Sequence, residues 1–246
     1  MKLSGYKTKL NYLYFFNNLL ASGILLAVLF ISEIVYAQSD DFPAPPSASI
    51  EWVSKDMNLN GMPMAIRHFR TNDSVEDVLW FYRKVWQEPV MPELPGFVEA
   101  TSGPWWVISR LESDRLMSVQ VQPLETGQGA WGYLGDSALD KATKENKPGD
   151  GFPMMQNSNV LNDVKSTDKG KSARTLQISN AFSIDANASY YRNHYANSGW
   201  TALMDENSNN TWVQTFKNGR DQIQLIIRRD DGVTIIIANN VRESLF

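Results

Sequence analysis

One pattern occurs twice in the sequence. The segment SVEDVLWFYR spans residues 74–83, and SIDANASYYR spans residues 183–192, so the two begin 109 positions apart. Each segment starts with serine, an aliphatic residue and an acidic residue, and each ends with an aromatic residue, Tyr and Arg. This self-similarity indicates an internal duplication, which constrains the fold because both copies must then form the same structural unit.

The similarity extends over most of both halves of the chain. After the predicted helix the offset becomes 106 positions, which relates Trp106 to Trp212. Upstream, the Phe-Pro dipeptide at Phe42 recurs at Phe152. Further matched residues are Gly61/Gly170, Phe69/Ile178, Phe81/Tyr190, Tyr82/Tyr191, Met117/Ile223, Val119/Leu225 and Val121/Ile227. The sequence therefore predicts two tandem copies of one module.

Each copy has the pattern of a strand, a helix and four further strands. Ser74 and Ser183 follow a short predicted strand and are expected to cap the helix, because a serine side chain accepts hydrogen bonds from the free amides of the first turn. Glu76 and Asp185 add negative charge at the positive end of the helix dipole. The strand runs after each helix are separated by turn compositions, of which DDG is a strong hairpin signal.

The fold class predicted by these patterns is α+β, with two tandem β-α-β-β-β-β repeats, each an antiparallel sheet with one helix packed on a face. We place a signal peptide at residues 1–37 and an extended lead-in at residues 38–60. Repeat 1 then covers residues 61–136, and repeat 2 covers residues 170–246. Residues 137–169, which are charged and rich in Gly and Pro, form the linker and the lead-in to the second repeat.

The amino-terminal segment has the features of an export signal. Three lysines precede an apolar run that is densest at Leu19–Ser32. Val35 and Ala37 match the small-residue pattern before a cleavage point, which makes Gln38 the first mature residue. The alternative is an uncleaved inner-membrane anchor formed by residues 19–36. The rest of the chain is exported in both cases, so we predict a periplasmic or secreted protein, and the lack of cysteine favours a bacterial envelope.

Composition argues against several classes of partner and chemistry. The formal net charge is −4 for the whole chain and −6 once the first 37 residues are removed. Nucleic acid is therefore not an expected partner, because contact with phosphates needs a basic surface. The chain has no cysteine, which excludes disulfides, thiolate catalysis and cysteine-based metal sites.

Searches for catalytic and metal-binding patterns give no site. His68 and His194 are the only histidines and occupy non-equivalent positions in the two copies, so a zinc site is not expected. The segment Asp205–Phe216 begins like a calcium loop but lacks its glycine and its final glutamate, so we interpret it as a strand turn. Residues 166–169 have Ser-x-x-Lys spacing without its companion motifs. We predict no enzyme activity, no cofactor and no metal.

The aromatic residues that both copies share are predicted to be core residues. Tyr82 and Tyr191 lie at helical spacing and are expected to pack the helix on its sheet. The arginine that follows each tyrosine is expected on the solvated flank, paired with an acid. Trp106 and Trp212 are expected between sheet and helix.

Differences between the copies indicate a binding surface. Trp105 matches Thr211 and, as the neighbour of Trp106 in a strand, points to the opposite face of the sheet. An apolar row edged with glutamine suits contact with another surface better than contact with water. The candidate partner-binding surface consists of Trp105, Val107, Leu116, Gln120 and Gln122. Three interpretations stay open: contact with the other repeat, contact with an external partner, or no specific contact.

Tandem modules of this kind resemble the small helix-on-sheet domains of bacterial envelope assembly factors, a resemblance of architecture and not of a diagnostic motif. The favoured hypothesis is a non-enzymatic binding or scaffolding protein of the periplasm that holds another envelope protein through sheet edges or the face near Trp105. The alternative is a carbohydrate- or peptidoglycan-binding module, or a weak cell-wall hydrolase. In that case the partner is a cell-wall glycan, on which the Trp105-Trp106 pair stacks.

Overall fold

The structure, a computed structural model, contains twelve β-strands and two α-helices in its described residues, and the strands pair antiparallel. The chain is therefore an α+β protein built mostly of antiparallel sheet, as the sequence predicts. The predicted signal peptide, the anchor alternative and Gly170 lie outside the described residues. The described residues are 42–90, 92, 94–125, 127–141, 147–168 and 171–243.

The chain divides into two compact units. The first unit comprises the described residues 42–55 and 63–141, and the second comprises 56–62 and the described residues from 147 onward. The short segment 56–62, which is the tip of the first hairpin, thus belongs to the second unit.

In the first unit a helix follows two strands and precedes four. The strands lie side by side in the order β3-β4-β5-β6-β2-β1. The elements are β1 (Ser49–Leu59, whose last residues lie in the hairpin tip), β2 (Met62–Thr71), α1 (Val75–Val85), β3 (Val98–Ser102), β4 (Trp105–Glu112), β5 (Arg115–Pro123) and β6 (Ala130–Ala138).

In the second unit the elements follow one another in the same sequence of types. The strand order is β7-β8-β12-β11-β10-β9. The elements are β7 (Asn159–Asp168), β8 (Lys171–Asn180), α2 (Ile184–Asn197), β9 (Thr201–Ser208), β10 (Thr211–Asn218), β11 (Asp221–Asp230) and β12 (Val233–Arg242).

The predicted count of one strand before each helix is wrong, because the structure has two. The additional strands, β1 and β7, lie in segments that we interpreted as lead-ins. The sequence of β7, NVLNDVKSTD, is too polar to show the alternation typical of a half-buried strand. This segment forms a strand because its backbone pairs with β8 along most of its length.

Helix starts agree with the prediction. The Ser74 Oγ accepts a hydrogen bond from the amide of Asp77 at 3.2 Å, and the Asp77 carboxylate accepts one from the Ser74 amide at 3.1 Å. The Ser183 Oγ accepts from the amide of Ala186 at 3.1 Å. The predicted caps are confirmed, and the first adds a reciprocal capping box.

Turns also agree with the sequence signals. Asp231 and Gly232 both have positive φ and form the two-residue connection between β11 and β12, as expected for a hairpin built on DDG. Asn209 and Asn210 do the same between β9 and β10. The segment that begins like a calcium loop is therefore a strand turn.

Each unit has its own core between the helix and one face of the sheet. In the first unit α1 contributes Val78, Leu79 and Tyr82, and in the second α2 contributes Ala188 and Tyr191. The sheet residues of the first core include Phe69, Ile108, Met117, Val119, Val121 and Leu134. Those of the second include Leu176, Ile178, Ile223, Leu225, Ile227 and Ile236. The prediction that both tyrosines are core residues is confirmed.

A buried arginine fixes the loop that follows α1. The Arg110 Nη1 donates to the carbonyl oxygens of Trp86, Glu88 and Gly96 at 3.0, 2.9 and 3.1 Å. Its Nε donates to Glu112 at 2.6 Å. A Cβ at Gly96 would lie 2.1 Å from the Trp86 carbonyl oxygen, so this close approach requires glycine. The loop is thereby held against β4.

The second unit contains an ion pair with no counterpart in the first. Asp163, 4% exposed, accepts from Arg174 at 3.0 and 2.7 Å and from the Gly149 amide at 2.9 Å. The backbone of Asp163 also exchanges hydrogen bonds with Asn60 in the hairpin tip. Burial alone would raise the pKa of Asp163, but the hydrogen bonds from Arg174 and Gly149 outweigh it and hold this pKa below its ordinary value.

Removal of this carboxylate should destabilise the protein. Asp163→Ala leaves Arg174 partly buried without its counter-ion, and we expect a loss of about 3 kcal/mol in the free energy of unfolding, measured by urea denaturation. The double variant D163S/R174A, which introduces the residues found 109 positions earlier at Ser54 and Ala65, should cost less. An equal or larger loss in the double variant would contradict the ion-pair explanation.

The same carboxylate should contribute to acid sensitivity. Because its pKa is lower in the folded than in the unfolded chain, its contribution is present above the unfolded value of 3.8 and is lost as the pH falls through the folded pKa. We expect the stability difference between the wild type and D163S/R174A to shrink over that range. Urea denaturation of both proteins at a series of acidic pH values measures this difference in the free energy of unfolding.

Candidate functional site

Strand register brings the predicted surface residues onto one face of the first unit. In β4 and β5, Val107 lies opposite Gln120 and Leu111 opposite Leu116. The alternate residues of these strands, among them Ile108 and Val119, face α1. The predicted residues therefore lie on the face turned away from α1, which we call the Trp105 face.

Most of the Trp105 face is buried. Trp105 is 3% exposed, Val107 1% and Gln120 2%, and Leu116 is buried as well. Gln122 is half-buried. The predicted residues thus form the inner part of a covered face, with Gln122 at its margin.

Trp106 is not a core residue, contrary to the prediction. Its side chain is 42% exposed. Its cross-strand neighbour, Thr101, lies in the edge strand β3, so the indole sits near the border of the sheet. The matched residue of the second unit, Trp212, is half-buried and packs against its core.

Three aromatic side chains that the sequence analysis did not assign to this surface form a cluster with Trp105. The ring centroid of Trp131 is 5.1 Å and that of Tyr133 is 5.7 Å from Trp105. His68 lies 5.8 Å from each of Trp131 and Tyr133. The alternation in AWGYLG, with Trp131 and Tyr133 two positions apart, was the signal that could have placed both on one face.

The face also carries polar side chains: Ser109, Ser118, Gln120, Gln122 and Ser137. The hydroxyls of Ser109 and Ser118 are 2.8 Å apart and hydrogen-bonded. The Gln120 Nε2 is buried and has no hydrogen-bond partner within the described chain. A buried donor without a partner costs free energy.

The corresponding face of the second unit is more open. Gln222, Gln224 and Arg228 are exposed there, and Ile226 and Ile237 are half-buried. Burial of this face is therefore a property of the first unit.

Each repeated arginine pairs with an acid on the neighbouring strand. Arg83 donates to Glu99 at 2.6 and 2.9 Å, and Arg192 donates to both carboxylate oxygens of Asp205. Hydrogen bonds with Glu99 raise the pKa of Arg83. The predicted position of these arginines on the flank, paired with an acid, is confirmed.

In the second unit the Arg192–Asp205 pair also contacts Trp212. The Asp205 carboxylate accepts hydrogen bonds from Trp212 Nε1 at 2.6 Å and from Gln214 Nε2 at 3.0 Å. The Arg192 guanidinium lies 5.4 Å from the Trp212 ring centroid. The Asp205 carboxylate thus binds three members of this cluster, which stabilises the structure, while the Gln214 Oε1 is buried without a hydrogen-bond partner within the described residues.

A polar groove lies at one end of the second unit. It encloses about 320 Å³, and its charged groups are largely neutralised by the pairs Arg174–Asp163 and Arg242–Asp221. None of the residues that line it is aromatic, so it lacks the stacking surface typical of sugar sites. The lining residues are Lys165, Ser166, Thr167, Ser172, Ala173, Arg174, Asp221, Asn240 and Arg242.

Two further observations concern metals and membranes. Within the described ranges no three residues of the His, Asp and Glu types come together as metal ligands would. Neither described helix has the length and apolar character needed to cross a bilayer.

Comparison with known proteins gives no match to a family model, to a curated protein or to a solved structure.

Protonation of His68 should weaken the fold around the Trp105 face. Burial lowers the pKa of His68 below 6.5; the charge of Glu51 opposes this effect and that of Arg70 adds to it. The unfolded chain therefore binds the proton more readily, so the free energy of unfolding should fall as the pH drops through 6.5 and level off below the folded pKa. His68→Gln, which introduces the residue found at Gln177, should abolish this dependence in urea unfolding. Identical pH profiles of unfolding free energy for the wild type and His68→Gln would contradict this role of His68.

Proposed function

We propose that this chain is an exported, non-enzymatic binding or scaffolding protein of the bacterial cell envelope, and that it holds another envelope protein on the Trp105 face. The observation that carries this proposal is a sheet face on the side away from α1, lined by aromatic and aliphatic side chains, with an unpaired amide donor at Gln120. Such a face suits a protein segment, because apolar burial around large aromatic anchors dominates the affinity of protein interfaces.

A partner protein is favoured over a cell-wall glycan by the chemistry of the face. Sugars present many hydroxyl groups and need several polar partners around each aromatic stacking surface. The Ser109 and Ser118 hydroxyls already bind each other, and the Gln120 Nε2 is buried without a partner within the described residues. An apolar protein segment with one correctly placed carbonyl oxygen matches that arrangement.

We also infer that the two units are tandem copies of one module. Arg83 with Glu99 and Arg192 with Asp205 are ion pairs at matched positions, separated by the offsets of 109 and 106 residues. The ring of Phe42 contacts Tyr82, and that of Phe152 contacts Tyr191. These repeated contacts support a common origin, after which the first copy became specialised for binding.

A third matched pair has its charges reversed. Arg115 donates to Asp136 at 2.9 and 2.7 Å, whereas Asp221 and Arg242, each 106 positions later, pair in the opposite sense. Both units therefore keep an ion pair at these positions, although the acidic and basic residues are exchanged. This pattern indicates that the contact between opposite charges matters more than which position carries which charge.

Exchanging the charges in the first unit should therefore be tolerated. Arg115→Asp alone places two carboxylates together and should lower the free energy of unfolding by about 1 kcal/mol. The double variant R115D/D136R should regain most of that loss in urea unfolding, because it recreates the pair of the second unit. Additive losses in the double variant would count against equivalence of the two positions.

Binding through the Trp105 face can be tested by pull-down. The chain beginning at Gln38 is used to capture protein from detergent-solubilised envelope and, separately, is incubated with purified cell-wall polymer. We expect a specific protein band in the first assay and no retention in the second. Trp105→Ala should remove the band, whereas the matched control Thr211→Ala should keep it.

Loss of binding through misfolding must be separated from loss of the surface. Gln122→Arg changes the half-buried margin of the face and should weaken capture by roughly tenfold while the thermal midpoint stays unchanged. Retention on polymer that depends on Trp105 would instead establish the glycan alternative. Capture that survives both Trp105→Ala and Gln122→Arg would reject this face as the site.

A further inference from the structure

We propose that the polar groove of the second unit is a binding site for the phosphate group of a small hydrophilic ligand. This site is independent of the Trp105 face, because the groove lies in the other unit and shares no residue with that face. The chain then has two sites, one in each unit.

Strand register places the groove side chains in two rows on one face of the sheet. The first row crosses β7, β8 and β12 and consists of Lys165, Arg174 and Asn240. The second crosses β7, β8, β12 and β11 and consists of Thr167, Ser172, Arg242 and Asp221. Neighbours within a row are about 5 Å apart, and the rows, two residues apart, are separated by about 7 Å. The core residue Ile223 lies opposite Asn240, so this is the face on which α2 packs.

Two guanidinium groups of the groove are held in place by carboxylates. Arg174 donates to Asp163 through Nε and Nη2, at 3.0 and 2.7 Å. Arg242 contacts Asp221 through the same two nitrogens, each at 2.9 Å. Because a guanidinium group has five N–H donors, the Nη1 of each arginine remains for a ligand. The ion pairs orient these donors before binding, which lowers the cost of ordering them when a ligand arrives.

Lys165 supplies a positive charge that these ion pairs do not neutralise. Its side chain is half-buried in the groove, and it forms no ion pair with a described residue. The three cations of the groove therefore outnumber the two carboxylates, Asp163 and Asp221, that pair with them. This local surplus attracts an anion, although the chain as a whole has a formal net charge of −4.

The arrangement of the donors favours a phosphate group over a carboxylate. A planar carboxylate is bound best by two parallel N–H groups of one guanidinium fork, and the Nε–Nη2 fork of each arginine is already occupied by Asp163 or Asp221. The remaining donors are single groups on separate strands: the two Nη1 nitrogens, the Lys165 ammonium and the hydroxyls of Thr167 and Ser172. The oxygens of a tetrahedral phosphate point in several directions and can accept from such separate donors. A volume of about 320 Å³ without aromatic lining fits a small hydrophilic molecule.

The basic character of the groove is specific to the second repeat. At the positions that match its three cations, the first repeat has Asp56, Ala65 and Asp136. Asn240 matches Leu134, which is 1% exposed and belongs to the core of the first unit. The framework that both repeats share therefore does not require these cations, and ligand binding accounts for their position.

Calorimetric titration of the full chain with inorganic phosphate and with glycerol 3-phosphate at pH 7 tests this site. We expect both to bind with a Kd on the order of 1 mM. Lys165→Asp, which introduces the residue found at Asp56, should weaken binding at least about tenfold, because it replaces a charged donor with a like charge. The matched control Lys217→Asp makes the same change of charge beside Gln222, on the face away from α2, and should leave the affinity unchanged.

Two further measurements test the donors without a change of charge. The double variant T167V/S172A removes both hydroxyls and should weaken phosphate binding by roughly fivefold. Acetate should bind the unchanged chain at least about tenfold more weakly than phosphate, because it lacks the additional oxygens. Circular dichroism and the thermal midpoint verify that each variant is folded.

Other outcomes would overturn the assignment. The absence of phosphate binding, equal losses in Lys165→Asp and Lys217→Asp, or equal affinities for acetate and phosphate would each reject a phosphate site in the groove. Sedimentation with phosphatidylglycerol vesicles that is lost only in Lys165→Asp, without binding of glycerol 3-phosphate, would place the phosphate on a lipid headgroup and reject the small ligand. The pull-down through Trp105 should be unaffected by Lys165→Asp, so the two sites are tested separately.

Discussion

A β-sheet has two faces, and one helix can cover only one of them. This constraint organises the first unit. Helix α1 buries one face through Val78, Leu79 and Tyr82. The other face is buried as well, and it carries Trp105 and Val107 together with polar residues such as Gln120. A half-buried antiparallel sheet alternates apolar and polar residues, whereas a sheet buried on both faces must be apolar at successive positions. Val107 and Ile108, successive residues of β4 that are 1% and 0% exposed, show this pattern.

The helix side is held by contacts that recur in both units. A tyrosine on the helix packs against the ring of a phenylalanine near the start of the unit, and the arginine after it pairs with an acid on the first strand beyond the helix. These contacts fix the helix at its core face and at its flank. The opposite face differs between the units: it is aromatic and buried in the first unit, and edged with exposed Gln and Arg in the second. The proposed binding surface is therefore the face that takes no part in these shared contacts.

Much of the framework was predictable because it depends on local chemistry. Serine caps, the Asp-Gly turn and the aromatic residues at helical spacing each act within a few residues, so sequence spacing alone located them. Strand β7 was missed because its sequence is polar, and its pairing with β8 and the ion pair of Asp163 involve residues distant in the chain. Trp106 was assigned to the core because its partner Trp212 recurs at the matched position. Trp106 is exposed because β4 lies next to the edge strand β3. The alternation of residues along β4 predicts which face Trp106 occupies, but not how close β4 lies to the edge of the sheet.

The sequence by itself determined the α+β class, the repeated pattern, the helix starts and the alternation that puts Trp105, Val107 and Leu116 on one face, because these follow from periodicity and from short-range hydrogen bonding. Only the tertiary structure decided which face each helix covers, that Trp131, Tyr133 and His68 join Trp105, and that Gln120 is buried without a partner. These features arise where strands far apart in sequence become neighbours. Strand order is fixed by the summed burial of many side chains, and no single segment carries that information.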